Sequence, residues 1–199
     1  TSGVTEMIEL FQGTSFNFDI SSWDVSNVTS MYRMFRSTGS FNKPLTAWNV
    51  SRVTNFNEMF HSANNFNEDV SGWNTASATD MSYMFYGARY FNKPIGSWDV
   101  SSVTSMSFMF SNGYGSSQFN QPIGSWNVSK VTDMSYMFRY ASSFNRDLNR
   151  WNVSAVTSFD NMFYSATEFN GDITSWDVRG TATRTCDEWG YCYSSSSMT

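Results

Sequence analysis

The chain has 199 residues, of which 15% are charged and 18% are aromatic, and its formal net charge at pH 7 is −5. No cluster of basic residues stands out, which argues against a nucleic-acid partner. No apolar run approaches the length of about 18 residues that a transmembrane helix needs. The polar positions are filled mostly by Ser, Thr and Asn, which suits an extracellular or cell-surface location. The opening residues, TSGVTEM, predict a mature chain or a piece of a longer protein.

A repeated pattern organises almost the whole chain, with a period of about 25 residues that is typical of solenoid proteins. Each repeat carries a Phe-Asn pair, a tryptophan seven positions later, a Val-Thr pair and then a Met-Phe pair. The tryptophans are Trp23, Trp48, Trp73, Trp98, Trp126, Trp151 and Trp176. One repeat is longer than the others, because the stretch SNGYGSSQ adds a three-residue surface loop near 112–118. We therefore expect about seven stacked coils over residues 1–178.

The array begins with the second half of a coil, which has helical spacing. In the pattern Thr-x-Met-x-x-Met-Phe-x-x-Ala, apolar residues recur at i, i+3, i+4 and i+7, as at Met134, Met137, Phe138 and Ala141. The preceding Thr is a natural N-cap, and Gly, Asn and Ser follow the stripe. The pattern predicts a helix of two to three turns.

The other half of each coil has the spacing of a strand. In Ile20-x-x-Trp23-x-Val25, the tryptophan and the valine are two positions apart, so their side chains share one face of an extended segment. One short parallel strand and one short helix per coil define an α/β repeat solenoid. A single coil cannot bury enough apolar surface to fold alone, whereas stacked coils cover one another. This explains why the apolar positions recur while the rest vary.

An asparagine follows the phenylalanine in all seven coils, although the position is polar. We interpret these residues as a structural ladder whose side chains satisfy backbone groups and contact one another between coils. They are Asn17, Asn42, Asn67, Asn92, Asn120, Asn145 and Asn170.

A second polar column directly follows the tryptophans. Alternation places it on the outer face of the sheet, as a solvated surface or a candidate contact face. Its members are Asp24, Asn49, Asn74, Asp99, Asn127, Asn152 and Asp177. A calcium site is disfavoured, because neutral amides alternate with the carboxylates. Four asparagines lie in Asn-x-Ser/Thr sequons and are glycan sites if the protein is secreted by a eukaryote: Asn27, Asn49, Asn127 and Asn152.

The repeated words resemble a known family. WDVSNVTSMYRMF and FNKPIGSWDVSSVTSMSFMF are similar to the repeat of BspA-like and mycoplasma surface lipoproteins, and the resemblance covers residues 4–178. It implies a leucine-rich-repeat-like fold, surface exposure, and adhesion or protein–protein contact, without catalysis. Residues 179–199 depart from the pattern and are expected to form a C-terminal cap or linker.

Candidate chemistry outside the repeat pattern is sparse. His61, the only histidine, occupies a slot that holds Arg, Tyr or Ser in other coils, so we expect it to face solvent. Cys186 and Cys192 can close a small disulfide loop, with a free or differently paired state as the alternative. A zinc site lacks ligands and no phosphate-binding loop is present, so we expect no cofactor and no enzyme activity.

Two functional hypotheses follow from the sequence. The first is a non-enzymatic extracellular repeat protein that acts as an adhesion or protein-interaction scaffold and binds a protein or glycan on a cell surface. The second is a structural subunit of an extracellular fibre or appendage, with or without glycans, in which copies assemble head to tail through uncovered sheet edges.

Overall fold

The computed structural model describes residues 1–113 and 115–178, together with the backbone of two short strands. These strands, β1 (Arg184–Cys186) and β2 (Cys192–Ser194), pair antiparallel and place Cys186 opposite Cys192. The predicted disulfide concerns side chains that lie outside the described residues. The same holds for the remainder of the predicted cap or linker, 179–199.

The predicted α/β solenoid, with one helix and one strand per coil, is wrong. Within residues 1–113 and 115–178 the structure contains no helix and no strand. Successive repeats contact each other through single parallel bridges, one per repeat, that form one column. The bridged residues are Glu6, Ser30, Asn55, Asp80, Ser105, Asp133 and Ser158.

Backbone hydrogen bonding explains why the Met-Phe half is not helical. Alternate amides donate to the following repeat, as Phe85 N–H does to Met109 O at 3.0 Å. The amides between them close tight turns within the repeat, as Met84 N–H does to Met81 O at 3.2 Å. A helix would join each amide to the carbonyl four positions earlier and would leave no donors for the neighbouring repeat. The apolar spacing that predicted a helix is therefore produced by consecutive turns.

Each such run of turns contains residues in the left-handed conformation. We call the first of these positions the left-handed column, and its φ values lie between 50° and 59°. It holds Glu9, Arg33, Glu58, Tyr83, Phe108, Tyr136 and Asn161. A positive φ is incompatible with a continuous right-handed helix. None of the seven residues is glycine, so the sequence carries no glycine signal for this break.

The predicted strand half is also built from turns. Trp48 N–H donates to Leu45 O at 3.1 Å, and Val53 N–H donates to Val50 O at 2.9 Å. The alternation itself is retained, because Trp48 and Val50 are buried while Asn49 between them is exposed. Inward and outward positions could therefore be predicted from the sequence even though the element was not a strand.

Equivalent aromatic side chains of successive repeats stack in buried columns. Trp48, Trp98 and Trp126 are each 3% exposed. The indoles of Trp73 and Trp98 stack with centroids 6.2 Å apart and planes within 4°. Among the seven repeat tryptophans, six indole N–H groups donate to a carbonyl of the preceding repeat at 3.0 to 3.1 Å, from Trp48, Trp73, Trp98, Trp126, Trp151 and Trp176. The buried indole is thus satisfied by the stacking itself.

Glycine substitution distinguishes this backbone from the predicted helix. Ser37 is exposed and has a φ of 58°. Ser37→Gly is expected to raise the free energy of unfolding by about 0.5–1 kcal/mol, because glycine adopts this conformation without steric cost. The exposed residue Ser40, which has no positive φ, is the control, and Ser40→Gly should lower stability. Urea unfolding measures both, and a loss of stability in both variants would contradict the assignment.

Candidate functional site

The surface of the Met-Phe half carries a row of aromatic side chains that ends at an arginine. Tyr83, Phe108 and Tyr136 occupy the left-handed column in three consecutive repeats. Their ring centroids are 4.5 Å and 4.3 Å apart, and both pairs are coplanar within 11°. All three are partly exposed. We call the surface formed by these rings and the adjacent cation the aromatic face, with members Tyr83, Phe108, Tyr136, Arg139, Tyr140 and Tyr164.

The same column is charged at its other end. Arg33 lies between two carboxylates, with Nη1 3.2 Å from Glu9 Oε1 and Nη2 2.8 Å from Glu58 Oε1. Arg36 Nε lies 2.6 Å from Glu58 Oε2. Burial alone would raise the pKa of Glu58, but the hydrogen bond and the charge of Arg33, with that of Arg36, hold it below its ordinary value. This end of the column is internally neutralised, so it offers no unpaired carboxylate to a ligand.

His61 connects the charged end to the aromatic face. Its ring stacks on Tyr86 at 4.6 Å and lies 6.4 Å from the ring of Tyr83 on the aromatic face, and Ser62 Oγ lies 3.0 Å from its Nδ1. The side chain is half-buried, so the expectation that it simply faces solvent is only partly correct. Burial, and then the positive charge of Arg36, lowers the pKa of His61 below its ordinary value of 6.5. The imidazole is therefore held neutral between cationic and aromatic neighbours.

The lowered pKa of His61 predicts a pH-dependent stability. Below about pH 6.5 the unfolded chain binds a proton at this residue more readily than the folded chain does. The free energy of unfolding is therefore expected to fall as the pH drops from about 7.5 to 5.5, with His61→Gln showing a smaller fall. Urea unfolding at the two pH values provides the measurement. Equal falls in both proteins would contradict the role assigned to burial of His61.

The predicted contact face is exposed in all seven repeats, from Asp24 to Asp177. Its side chains also have a local role, since within the described residues the first six accept a hydrogen bond from the backbone N–H two positions later. The six acceptors are Asp24, Asn49, Asn74, Asp99, Asn127 and Asn152. Such turns favour Asp and Asn whatever the surface binds. The column's composition alone therefore does not indicate a ligand.

The predicted asparagine ladder forms one hydrogen-bonded column. The Oδ1 of each asparagine accepts the backbone N–H of the next asparagine at 2.8 to 3.1 Å, from Asn17 through to Asn170. The asparagine side chains therefore bond to the backbone of the next repeat rather than to each other. These residues are exposed or half-buried. This contact explains why a polar residue recurs in every repeat.

The four sequon asparagines differ in their surroundings. Asn49, Asn127 and Asn152 are exposed, whereas Asn27 is half-buried. Asn27 Nδ2 donates to Ser2 O at 2.8 Å, and its Oδ1 accepts from Arg52 at 2.9 Å. Of the four, the exposed three are the accessible candidates for glycosylation.

A cleft of about 550 Å³ lies elsewhere, lined by Pro122, Gly124, Ser125, Arg146, Asp147, Asn149, Arg150 and Asp172. Its charged side chains are all exposed, so it is an open surface depression rather than an enclosed site. Among the described residues no group of three or more His, Cys, Asp or Glu could hold a metal ion. In that part of the chain no helix is long and apolar enough to cross a membrane.

The aromatic face was missed by sequence reasoning, because its slots vary along the array. The Tyr83 slot holds Glu, Arg or Asn in other repeats. The available signal was the run of aromatic residues in three successive repeats at one slot. Such a run predicts stacked rings only once the slot is known to point outward.

These features define a repeat protein in which short units of one pattern stack through side-chain columns. The chain belongs to the family described as Mycoplasma protein of unknown function, DUF285, which matches residues 1–95 and again 91–188. Neither the curated proteins nor the solved structures that were compared include a match to this chain.

Proposed function

We propose that the protein is a non-enzymatic extracellular scaffold that binds a protein partner through its aromatic face. The observation that carries the proposal is the stacked row of Tyr83, Phe108 and Tyr136 beside Arg139, all partly exposed. Tyrosine and arginine are the residue types that contribute most to protein–protein binding. The cell-surface location is supported by the resemblance to BspA-like surface proteins and by a polar composition dominated by Ser, Thr and Asn.

The geometry of the rings favours a protein over a glycan. Sugars stack on the open faces of aromatic rings, but the faces of Phe108 are covered by Tyr83 and Tyr136 at 4.5 Å and 4.3 Å. Stacking therefore leaves mainly ring edges as the exposed part of this partly exposed row. Ring edges fit the apolar and hydrogen-bonding groups of a protein surface.

This proposal is tested by measuring how beads coated with the protein adhere to immobilised extracellular-matrix proteins and to mucin. Saturable binding to a protein target is expected, with a loss of about tenfold or more in affinity when Tyr83, Phe108 and Tyr136 are all changed to Ser. The matched control changes Asn49, Asn127 and Asn152 to Ser on the predicted contact face, and should retain binding. Binding to no protein target, or loss only in the control variant, would refute the proposal.

The second candidate, a subunit of a head-to-tail fibre, is favoured by one observation. In the described chain, four backbone N–H groups of the last repeat lack a partner, at Phe159, Asn161, Phe163 and Ser165. Elsewhere in the array the equivalent amides donate to four carbonyls of the next repeat. In the first repeat the corresponding carbonyls, at Glu6, Ile8, Leu10 and Gln12, accept no backbone hydrogen bond within the described residues. A second copy could pair the two sets. Sedimentation at micromolar concentration tests this, and a clean monomer would count against it.

A further inference from the structure

Arg139 lies among three tyrosine rings on the aromatic face. Its guanidinium carbon is 4.9 Å from the ring centre of Tyr140, 5.4 Å from Tyr164 and 5.5 Å from Tyr136. These contacts hold the cation in place through its attraction to the ring electrons. Its Nε–H is buried without a hydrogen-bond partner, and no carboxylate of the described residues forms an ion pair with it. Buried donors of this kind are rare and call for an explanation.

The repeat supplies its own comparison for Arg139. Arg36 occupies the same slot in an earlier repeat, and its Nε–H is likewise buried without a well-directed hydrogen bond, but its charge is neutralised by Glu58, with Nε and Oε2 2.6 Å apart. Asn161 follows Arg139 by the same number of residues as Glu58 follows Arg36, so Asn161 and Glu58 are equivalent positions. The later repeat therefore has a neutral amide in the slot that provides the carboxylate in the earlier one.

The backbone next to Arg139 is unusual at one residue, Tyr140. Its φ is 58°, at the second left-handed position of its repeat. In the other repeats that have a positive φ at this slot the residue is small, namely Gly13, Ser37, Ser62, Gly87 and Ser165, whereas Asn112 fills it without a positive φ. A bulky residue at positive φ is sterically unfavourable, and such residues concentrate at functional sites. Tyr140 is thus kept beside the cation at a conformational cost.

We infer that Arg139, framed by Tyr136, Tyr140 and Tyr164, binds a carboxylate of an acidic segment in the protein partner. The inference rests on the proposed function, because the site is part of the aromatic face. A guanidinium pairs with a carboxylate through two parallel N–H···O bonds, and a fixed guanidinium loses less freedom on binding. A carboxylate is the favoured ligand because Arg36, in the equivalent slot, takes one from Glu58.

Nuclear magnetic resonance of the Arg139 Nε–H group tests this site directly on the whole chain. The probe is the capped tripeptide acetyl-Gly-Glu-Gly-amide, with its Gln counterpart as the uncharged control. We expect a saturable shift of the Arg139 signal with the Glu peptide only, and no shift of the Arg36 signal. Asn161→Glu should abolish the Arg139 shift, because it rebuilds the internal ion pair of the earlier repeat. Asn161→Gln should leave it intact.

Several results would overturn the site: no saturable shift, parallel shifts at Arg36 and Arg139, or an unchanged shift in Asn161→Glu. The Asn161→Glu variant is expected to fold, since Glu58 already occupies the same column at a φ of 55°. Tighter binding of inorganic sulfate than of the Glu peptide would also overturn it, in favour of a sulfated ligand. A shift in a protein that adheres to nothing would support the site while refuting the proposed function.

Discussion

Phe85→Ala is expected to lower the free energy of unfolding by about 3–5 kcal/mol, the usual range for a buried phenylalanine. The ring is 3% exposed and stacks on Phe91 at 3.9 Å. It also contacts the equivalent rings of both neighbouring repeats, Phe60 at 5.6 Å and Phe110 at 5.9 Å. Removing it opens a cavity that the adjoining repeats cannot close, because their own rings are fixed in the column. Equilibrium unfolding in urea measures the loss.

Phe18→Ala is the matched control for that substitution. Phe18 is 76% exposed and lies outside the buried columns. The same truncation there should change stability by less than about 0.5 kcal/mol. Similar losses in the two variants would show that the stacked rings are not what holds the repeats together.

Trp126→Phe is expected to lower stability by about 0.5–1.5 kcal/mol, because it removes one buried hydrogen bond between repeats, while Ile95 O keeps the backbone N–H of Trp98 at 3.1 Å. The indole N–H donates to Ile95 O of the preceding repeat at 3.0 Å, in a buried environment. Phenylalanine retains most of the apolar contact with Trp151, whose ring lies 6.4 Å away. The substitution therefore tests chiefly the hydrogen bond between repeats, again by urea unfolding.

Trp23 provides the control for the indole bond. Trp23 is the first residue of the tryptophan column. In the described part of the chain its indole N–H has no carbonyl partner from an earlier repeat. Trp23→Phe should therefore cost less than Trp126→Phe. An equal or larger cost at Trp23 would indicate that the indole bond contributes little and that only ring volume matters.

Burial could be predicted from the sequence because the core must recur in every repeat. Any side chain shared between neighbouring repeats, such as Trp98 or Phe91, has to fit the same space each time. The backbone path could not be predicted in this way. Left-handed positions are usually recognised in a sequence by glycine, but here they are occupied by Arg33, Tyr83 and Phe108. Apolar spacing alone was compatible with both a helix and a run of turns.

The candidate site was less predictable than the core. Outward positions vary freely, so a functional cluster on them has no periodic signal. The polar column containing Asn49 and Asp99 recurs for a local reason, the turn that each side chain closes. The aromatic face depends on where the left-handed residues point, and that follows from backbone geometry rather than from residue spacing.

Scalar coupling across hydrogen bonds, measured by nuclear magnetic resonance, tests most directly whether the repeats are joined as described. In the structure Phe85 N–H donates to Met109 O of the next repeat at 3.0 Å. A coupling is therefore expected between the Phe85 amide nitrogen and the Met109 carbonyl carbon. A coupling from Phe85 to the Met81 carbonyl instead, as a helix would give, would contradict it.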